Sequence, residues 1–319
     1  MPEFADSELV PASEDASFRR YFRIQSGEHT RIAMDAPPPQ EDCGPFVRVA
    51  GYLTEIGLNA PRVFDADIKR GYLLLSDMGQ QLYLNELSAR PEAADALYRD
   101  AIKALSTLQR EGSKLARSLP EFDEPMLRFE MSLFHDWLCE RHLGLTFSVA
   151  DEKQWTECCD VLVGSALAQP AVFVHRDYHS RNLMLTEHDN PGILDFQDAV
   201  IGPFTYDLVS LLKDCYVRWP HERVRGWALQ FYAALDGDIS DSISEDSFLN
   251  FFDLMGVQRH LKASGIFARL LHRDGKSTYM DDVPRTLQYI VEVGRRFPKI
   301  RFLADLIEQR CLPGLLANQ

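Results

Sequence analysis

The sequence predicts an α+β protein of two lobes: a small β-rich N-terminal lobe with its linker over residues 1–79, and a larger, mainly helical lobe over 80–319 with a hairpin set into it. Three observations carry this expectation. The chain has 319 residues, more than one hydrophobic core ordinarily serves, since cores stop growing near about 250–300 residues. Strand-like runs occur on both sides of a tight turn at 18–35 and again at 71–79, whereas beyond Pro91 apolar residues recur at helical spacing. The hydrophobic share of 45% against 26% charged is enough to fill such cores, which excludes a disordered tail.

Taken in order, residues 1–15 carry five carboxylates and no Lys or Arg, and lack the apolar stretch of a secretory signal. The runs SFRRYFRIQ and TRIAMDA flank Ser26-Gly27-Glu28-His29, which reads as a hairpin. Pro37, Pro38 and Pro39 end its second strand, because proline fixes φ and has no N–H to donate. Residues 45–56 read as a helix, and GYLLLSDMG at 71–79 as a strand leaving into a loop. Leu97, Ala101, Leu105 and Leu108, and then Leu127, Met131, Phe134 and Leu138, mark two helices of the second lobe. Between later helices stands AVFVHRDYHSRNLMLTEHDNPGILDFQDA, where a hairpin over 183–196 is expected to turn at Asn190-Pro191-Gly192 in type II geometry.

Composition narrows the function. Lys plus Arg number 34 against 48 Asp plus Glu, a formal charge of −14 that disfavours general nucleic-acid binding. The six cysteines form no C-x-x-C, and Cys158 and Cys159 are adjacent, so reduced thiols are expected rather than zinc ligands or disulfides. No run approaches the ~18 apolar residues of a membrane span. The expectation is a cytoplasmic monomer acting on a small molecule.

The residues that carry chemistry are His175-Arg176-Asp177, Asn182 and Asp195-Phe196: H-R-D-x-x-x-x-N, with D-F beginning thirteen residues after the Asn. Phosphoryl transfer is a problem of placement and charge neutralisation. It needs one group to orient and deprotonate the acceptor hydroxyl, and hard oxygen donors to hold Mg²⁺ on the phosphates of ATP. Asp177 suits the base; Asn182 and Asp195 suit the metal. One loop presents Asp177 and Asn182, and the hairpin after Asn182 returns Asp195 beside them. His175, Asp177 and His179 could instead be drawn as a zinc triad, but that would leave Asn182 and the hairpin without a role. Gly275-Lys276-Ser277-Thr278 is not a P-loop, because the first glycine of that motif would fall on Leu270.

These motifs resemble the aminoglycoside phosphotransferase family of the protein-kinase-like fold, over nearly the whole chain: hairpin lobe, linker strand, catalytic loop, D-F, then Gly202-Pro203 and Tyr206-Asp207-Leu208. More narrowly, ASFRRYFRI, MDAPP, HRDYHSRNLM, LDFQDAVIGPFTYDLVSLLKDCY and MGVQRHLKASGIFARL are similar to the bacterial anomeric N-acetylmuramate/N-acetylglucosamine kinases of cell-wall recycling. The resemblance implies ATP-dependent phosphorylation of the C1 hydroxyl of a free amino sugar to the α-1-phosphate, with Asp207 as an anchor of the catalytic loop. The same fold also serves aminoglycoside and choline phosphotransferases, whose cationic substrates a negative protein would attract, and a non-catalytic nucleotide-binding module is a third reading.

The resemblance implies features that are absent here. The third-strand lysine is missing, RIAMD standing in its place, and no helix glutamate partner is evident within FVRVAGYL. Candidates for the phosphates are Arg19, Arg20, Arg23 and Arg31, of which Arg19 and Arg31 are taken as nucleotide contacts with Ser17, although no glycine-rich loop surrounds that serine. The alternative for each arginine is an exposed place on a polar strand face. Leu75, Ser76, Asp77 and Met78 occupy the linker where backbone would meet adenine. For the sugar, Phe129, Leu133, Asp136 and Glu140 form one helical stripe that passes from apolar to acidic, either running from core into cleft or marking a helix end that emerges into solvent, and His179 on the catalytic loop is a sugar contact or else a surface or pocket-rim histidine. Arg259 is a charge on the apolar stripe of Phe252, Met255 and Ile266; it would meet a substrate carboxylate or acetamido group, or else an internal partner, since an isolated buried ion is costly.

Overall fold

A computed structural model describes residues 8–14, 18–27, 29–115, 118–235 and 237–317. Its contacts divide the chain into two compact units: Met1–Ser118 with His175–Ala199, and Leu119–Val174 with Val200–Gln319.

The first unit is built on a five-stranded antiparallel sheet of order β1-β2-β3-β5-β4. The edge strand β1 (Val10–Glu14) carries Pro11, which an edge tolerates because its missing N–H costs no interior ladder bond, and it had no signature in the sequence. β2 (Arg20–Ser26) and β3 (His29–Asp35) form the expected hairpin, in register from Arg20↔Asp35 to Ser26↔His29. That register leaves a two-residue turn with Gly27 at φ +59°, the left-handed geometry such turns require. Helix α1 (Cys43–Glu55) starts where Asp42 accepts the Gly44 N–H at 2.8 Å, and it buries Cys43, Phe46, Val49, Ala50 and Leu53 on one face. β4 (Val63–Asp67) is mostly exposed and escaped the sequence reading, whereas β5 (Tyr72–Ser76) is the expected strand. Gly71 leads into β5 at φ +79°, and a Cβ there would lie 1.9 Å from the Ala36 carbonyl oxygen, so only glycine fits.

Helices α2 (Tyr83–Ala89) and α3 (Ala94–Thr107) belong to this same unit. The contact division therefore does not coincide with a boundary at 79–80. The physical reason is a set of hydrogen bonds from this helical stretch to the loop after His175: Tyr178 Oη donates to the Ala101 carbonyl at 2.9 Å, Leu84 N to the Ser180 carbonyl at 3.0 Å, and Leu185 N to the Gln81 carbonyl at 2.7 Å.

The second unit holds a two-stranded antiparallel pair, Ala171–Val174 with Val200–Pro203, among helices. Its longest helix, Glu245–Asp274, passes Leu133 so closely that a Cβ at Gly265 would lie 2.2 Å from the Leu133 carbonyl carbon. A buried network crosses its middle: Lys262 Nζ lies 3.1 Å from Glu130 Oε1 and donates to Tyr206 Oη at 2.9 Å, while Gln258 donates to Glu130 at 3.0 Å. The helix stops at Gly275, φ +71°, which caps it in left-handed geometry and makes the Gly275-Lys276-Ser277-Thr278 run a helix terminus. The expected helix over 127–142 is present in two registers, α-helical over Glu124–Leu133 and π-helical over Phe134–His142. Leu127, Met131, Phe134 and Leu138 are all fully buried.

All six cysteines are buried free thiols, and burial pushes Cys158 and Cys159 up to about 11 and about 12, away from thiolate chemistry. Among the described residues no helix is long and apolar enough to cross a membrane.

Candidate active site

The loop from His175 to Asn182 is held from inside. His175 is fully buried, its ring edge-on to Tyr178, and its Nδ1 accepts the Asp177 N–H at 3.3 Å. Arg176 takes φ +77°, a strained conformation for a residue with a Cβ that reverses the chain just before Asp177. The Asp177 carbonyl accepts the His179 N–H at 3.0 Å, and the His179 carbonyl accepts the Asn182 N–H at 2.9 Å. This tight bend explains the four-residue gap in H-R-D-x-x-x-x-N.

The short hairpin pairs Leu183↔Ile193 and Met184↔Gly192, and Leu194 N donates to the Asn182 carbonyl at 2.9 Å. Asp195 is thereby returned beside Asn182, at φ +61°, with the fully buried Phe196 ring packed 4.8 Å from Phe46 of α1. The Asn182 side-chain amide donates both to the Asp177 carbonyl at 3.0 Å and to Asp195 Oδ2 at 3.3 Å. Gln197 Nε2 donates to Asp195 Oδ1 at 2.8 Å. Asp177, Asn182 and Asp195 are each half-buried. The amide nitrogen of Asn182 being engaged, its oxygen is the face left to accept, and the set offers carboxylate and amide oxygens of the kind a hard cation takes.

The hairpin turn differs from expectation. Gly192 stays out of the left-handed region that type II geometry would demand and lies within the strand, while Asp189 takes φ +50° instead. A Cβ at Gly192 would lie 2.6 Å from Cε at the flexible tip of Met78 and 3.2 Å from Met184 Cβ and Thr186 Cγ2, so the hairpin lies close against the Met78 side chain.

The four arginines separate. Arg20 pairs with Asp35 directly across the β2–β3 ladder, the position at which RIAMD ends. Arg23 grips Asp77 through Nε and Nη2, at 2.6 and 2.9 Å, and its Nη2 also donates to the Gly79 carbonyl at 2.8 Å. Burial works to raise the Asp77 carboxyl, but the Arg23 bonds and the Gly79 N–H outweigh it and hold it below the usual range. Arg31 donates to the Thr30 carbonyl at 2.7 Å and lies over the Phe64 ring at 4.4 Å. Arg19 donates through Nε to Glu41 at 3.0 Å, and its Nη1 is 3.7 Å from Asp195 Oδ1. Ser17 lies outside the described residues.

In the linker, Leu75 is buried, and Ser76 Oγ accepts the Arg62 N–H at 2.9 Å. In the second unit, Arg259 is 5% exposed with Nη1 at 3.8 Å from Cys215 Sγ. Asp207 is fully buried in the first turn of helix Tyr206–Leu212. Along the stripe of Phe129, Leu133, Asp136 and Glu140, Leu133 is buried and the other three are exposed, the pattern of a helix end emerging into solvent. Asp136 and Glu140 gather with His135, one ligand atom from each lying within 4.8 Å of the others. Among the described residues that is the only such group, so the structure assembles no zinc triad at His175, Asp177 and His179.

Glu41 and Gln197 are partners that sequence reasoning missed. Gln197 had a faint signal in its place two residues after Asp195. Glu41 had none, since it precedes α1 and meets Arg19 only through the fold.

An antiparallel sheet with a bent loop and returning hairpin that brings Asn182 onto Asp195 is the architecture of small-molecule phosphotransferases. Accordingly, the structure of the GDP complex of wild-type aminoglycoside 2'-phosphotransferase-IIIa matches with a TM-score of 0.61 over 93% of this chain and 96% of that one, at 15% identity. A sequence model of the phosphotransferase enzyme family matches residues 8–241, and the chain belongs to that family. Among characterised relatives, N-acetylmuramate/N-acetylglucosamine kinase of Pseudomonas aeruginosa is 50% identical over 306 residues, covering 96% of this chain and 89% of that protein. The protein of the same name from Pseudomonas putida is 48% identical over 302 residues, covering 94% and 88%.

Proposed function

We propose that this chain is an ATP-dependent kinase that phosphorylates the anomeric C1 hydroxyl of N-acetylmuramate, N-acetylglucosamine or both, giving the α-1-phosphate. The observation that carries the chemistry is the Asn182 amide, which ties the Asp177 backbone at 3.0 Å and the Asp195 carboxylate at 3.3 Å into one construction. The relatives of 50% and 48% identity supply the substrate class.

In this reading the Asp177 carboxylate accepts the proton of the C1 hydroxyl as that oxygen bonds to the γ-phosphorus and the bond to ADP breaks. A hemiacetal hydroxyl is more acidic than an ordinary alcohol, so a carboxylate is an adequate base. Asn182 and Asp195 would hold Mg²⁺, which when bound supplies positive charge to the phosphates. The oxygen-only donor set fits such a hard cation. Gln197 holds the Asp195 carboxylate in place from its other oxygen. Backbone groups of Leu75–Met78 would meet the adenine, on a linker that Arg23 immobilises through Asp77 and Gly79.

The test is NMR of the product formed from N-acetylmuramate and ATP. A C1 proton coupled to phosphorus, with the coupling of the α anomer, is expected. Phosphate transferred to kanamycin or choline but to neither amino sugar would overturn the proposal.

A further inference from the structure

The third strand carries no lysine, its one arginine, Arg31, lying over the Phe64 ring, and α1 offers no carboxylate before its last residue, so the pair by which a protein kinase ordinarily grips the nucleotide phosphates is not found there. β3 ends in Asp35, already engaged by Arg20, and α1 contains no acidic residue before Glu55. A cation is still needed beside the metal donors, because a triphosphate brings more negative charge than one divalent ion neutralises.

The connection entering β2 brings one there. Arg19 immediately precedes the strand, and Glu41 immediately precedes Asp42, the cap of α1. The Glu41 carboxylate takes two donors from the β2 side: the Phe18 backbone N–H at 3.1 Å and Arg19 Nε at 3.0 Å. Both side chains are largely buried, 12% and 11% exposed, so the pair is shielded from water and held from two directions. From that anchor Nη1 reaches to 3.7 Å from Asp195 Oδ1. Of the four arginines considered, it alone approaches the Asp195 carboxylate. Arg20 is paired on the ladder, Arg23 on the linker, and Arg31 lies over Phe64.

We propose that Arg19 is the phosphate-binding cation of this enzyme and Glu41 its positioning residue, a guanidinium–carboxylate pair delivered from the β1–β2 connection and the approach to α1. The assignment rests on the kinase reading above. With Nε fixed on Glu41 and Tyr21 also hydrogen-bonding the guanidinium, the planar group is held with Nη1 toward Asp195, and a guanidinium is suited to phosphate oxygens. Glu41 does not touch the nucleotide; it sets the direction of the guanidinium.

The experiment measures binding of adenosine and of Mg-ADP to the full chain and to Arg19→Ala, Arg19→Gln and Glu41→Gln, by calorimetry. Adenosine shares the base and ribose and lacks the phosphates. Loss of charge-assisted phosphate bonds in Arg19→Ala should weaken Mg-ADP by about tenfold to a hundredfold while adenosine binding moves by less than about twofold. Arg19→Gln, which keeps a hydrogen-bonding side chain without the charge, should do the same if Arg19→Ala does not fold. Glu41→Gln should weaken Mg-ADP by a smaller factor, again sparing adenosine. Equal weakening of both ligands would mean that the pair only supports the fold, and unchanged binding of both would place the phosphates elsewhere; either overturns the assignment. If the unaltered chain binds neither ligand, the kinase reading itself fails and this assignment with it.

Discussion

Replacing Asn182 with Asp changes one atom's identity and should convert the metal site into a charge conflict that Mg²⁺ relieves. The Asn182 amide donates at 3.0 Å to the Asp177 carbonyl and at 3.3 Å to the Asp195 carboxylate. In Asn182→Asp an acceptor faces each of these acceptors, so two hydrogen bonds are lost and two carboxylates stand a little over 3 Å apart. At that separation the repulsion is about 1 kcal/mol in water and about 5 kcal/mol at the effective dielectric of a protein surface. Asp195 is 39% exposed, and solvent screening pulls the value toward the lower end, leaving about 1–3 kcal/mol. Lost hydrogen bonds add about 0.5–1.5 kcal/mol each. The variant should therefore melt several degrees below the parent in chelator, and should regain most of that loss on adding Mg²⁺, more than the parent gains. Lowering the pH should also restore it: like-charge repulsion raises a carboxyl's folded pKa, so the penalty is present above that value and disappears as the group protonates. Differential scanning fluorimetry with and without Mg²⁺, repeated across acidic pH, reads all of this. An Asn182→Asp protein as stable as the parent in chelator, or one indifferent to Mg²⁺, would refute the geometry on which the site rests.

Three further outcomes are expected. Asp177→Asn should lower turnover by about 10²–10⁴-fold while Mg-ATP binding stays within about threefold, measured by single-turnover assay and calorimetry; turnover within a few fold of the parent would remove Asp177 from the base role. Gly192→Ala would set a Cβ 2.6 Å from Met78 Cε, so the flexible Met78 tip must move, and KM for ATP should rise modestly while kcat holds; an unchanged KM would separate the Met78 side chain from the nucleotide. His260 is fully buried and stacked on Tyr289 at 4.6 Å, and burial, with the Arg259 and Lys213 charges and against its bond to the Lys213 carbonyl, pulls it down to about 3. A folded pKa below the unfolded 6.5 makes its contribution complete above about pH 6.5 and progressively lost as pH falls toward 3, so urea titrations should show a stability slope over that window that is shallower by one proton in His260→Gln.

The parts of this protein legible in its sequence are those written in local spacing. The β2–β3 hairpin was legible in the strand runs flanking Ser26-Gly27, α1 in its apolar periodicity, and the catalytic stretch in the order of Asp177, Asn182 and Asp195. The type II turn was misjudged because proline followed by glycine specifies only a local preference, whereas Gly192 is taken into the short strand that pairs with Met184. The change of register at Phe134 was not legible, because a helical wheel assumes one register throughout.

The sequence by itself determined the kind of chemistry: three oxygen-bearing side chains at intervals that one bend and one hairpin can close, since those intervals are short and the turns between them are local. Which arginine stands beside Asp195 was decided only by the tertiary structure. Arg19, Arg20, Arg23 and Arg31 are alike in composition and neighbourhood along the chain; what separates them is strand alternation and the partners that Asp35, Asp77, Phe64 and Glu41 present from other elements, and such partners exist only once the sheet and α1 have packed.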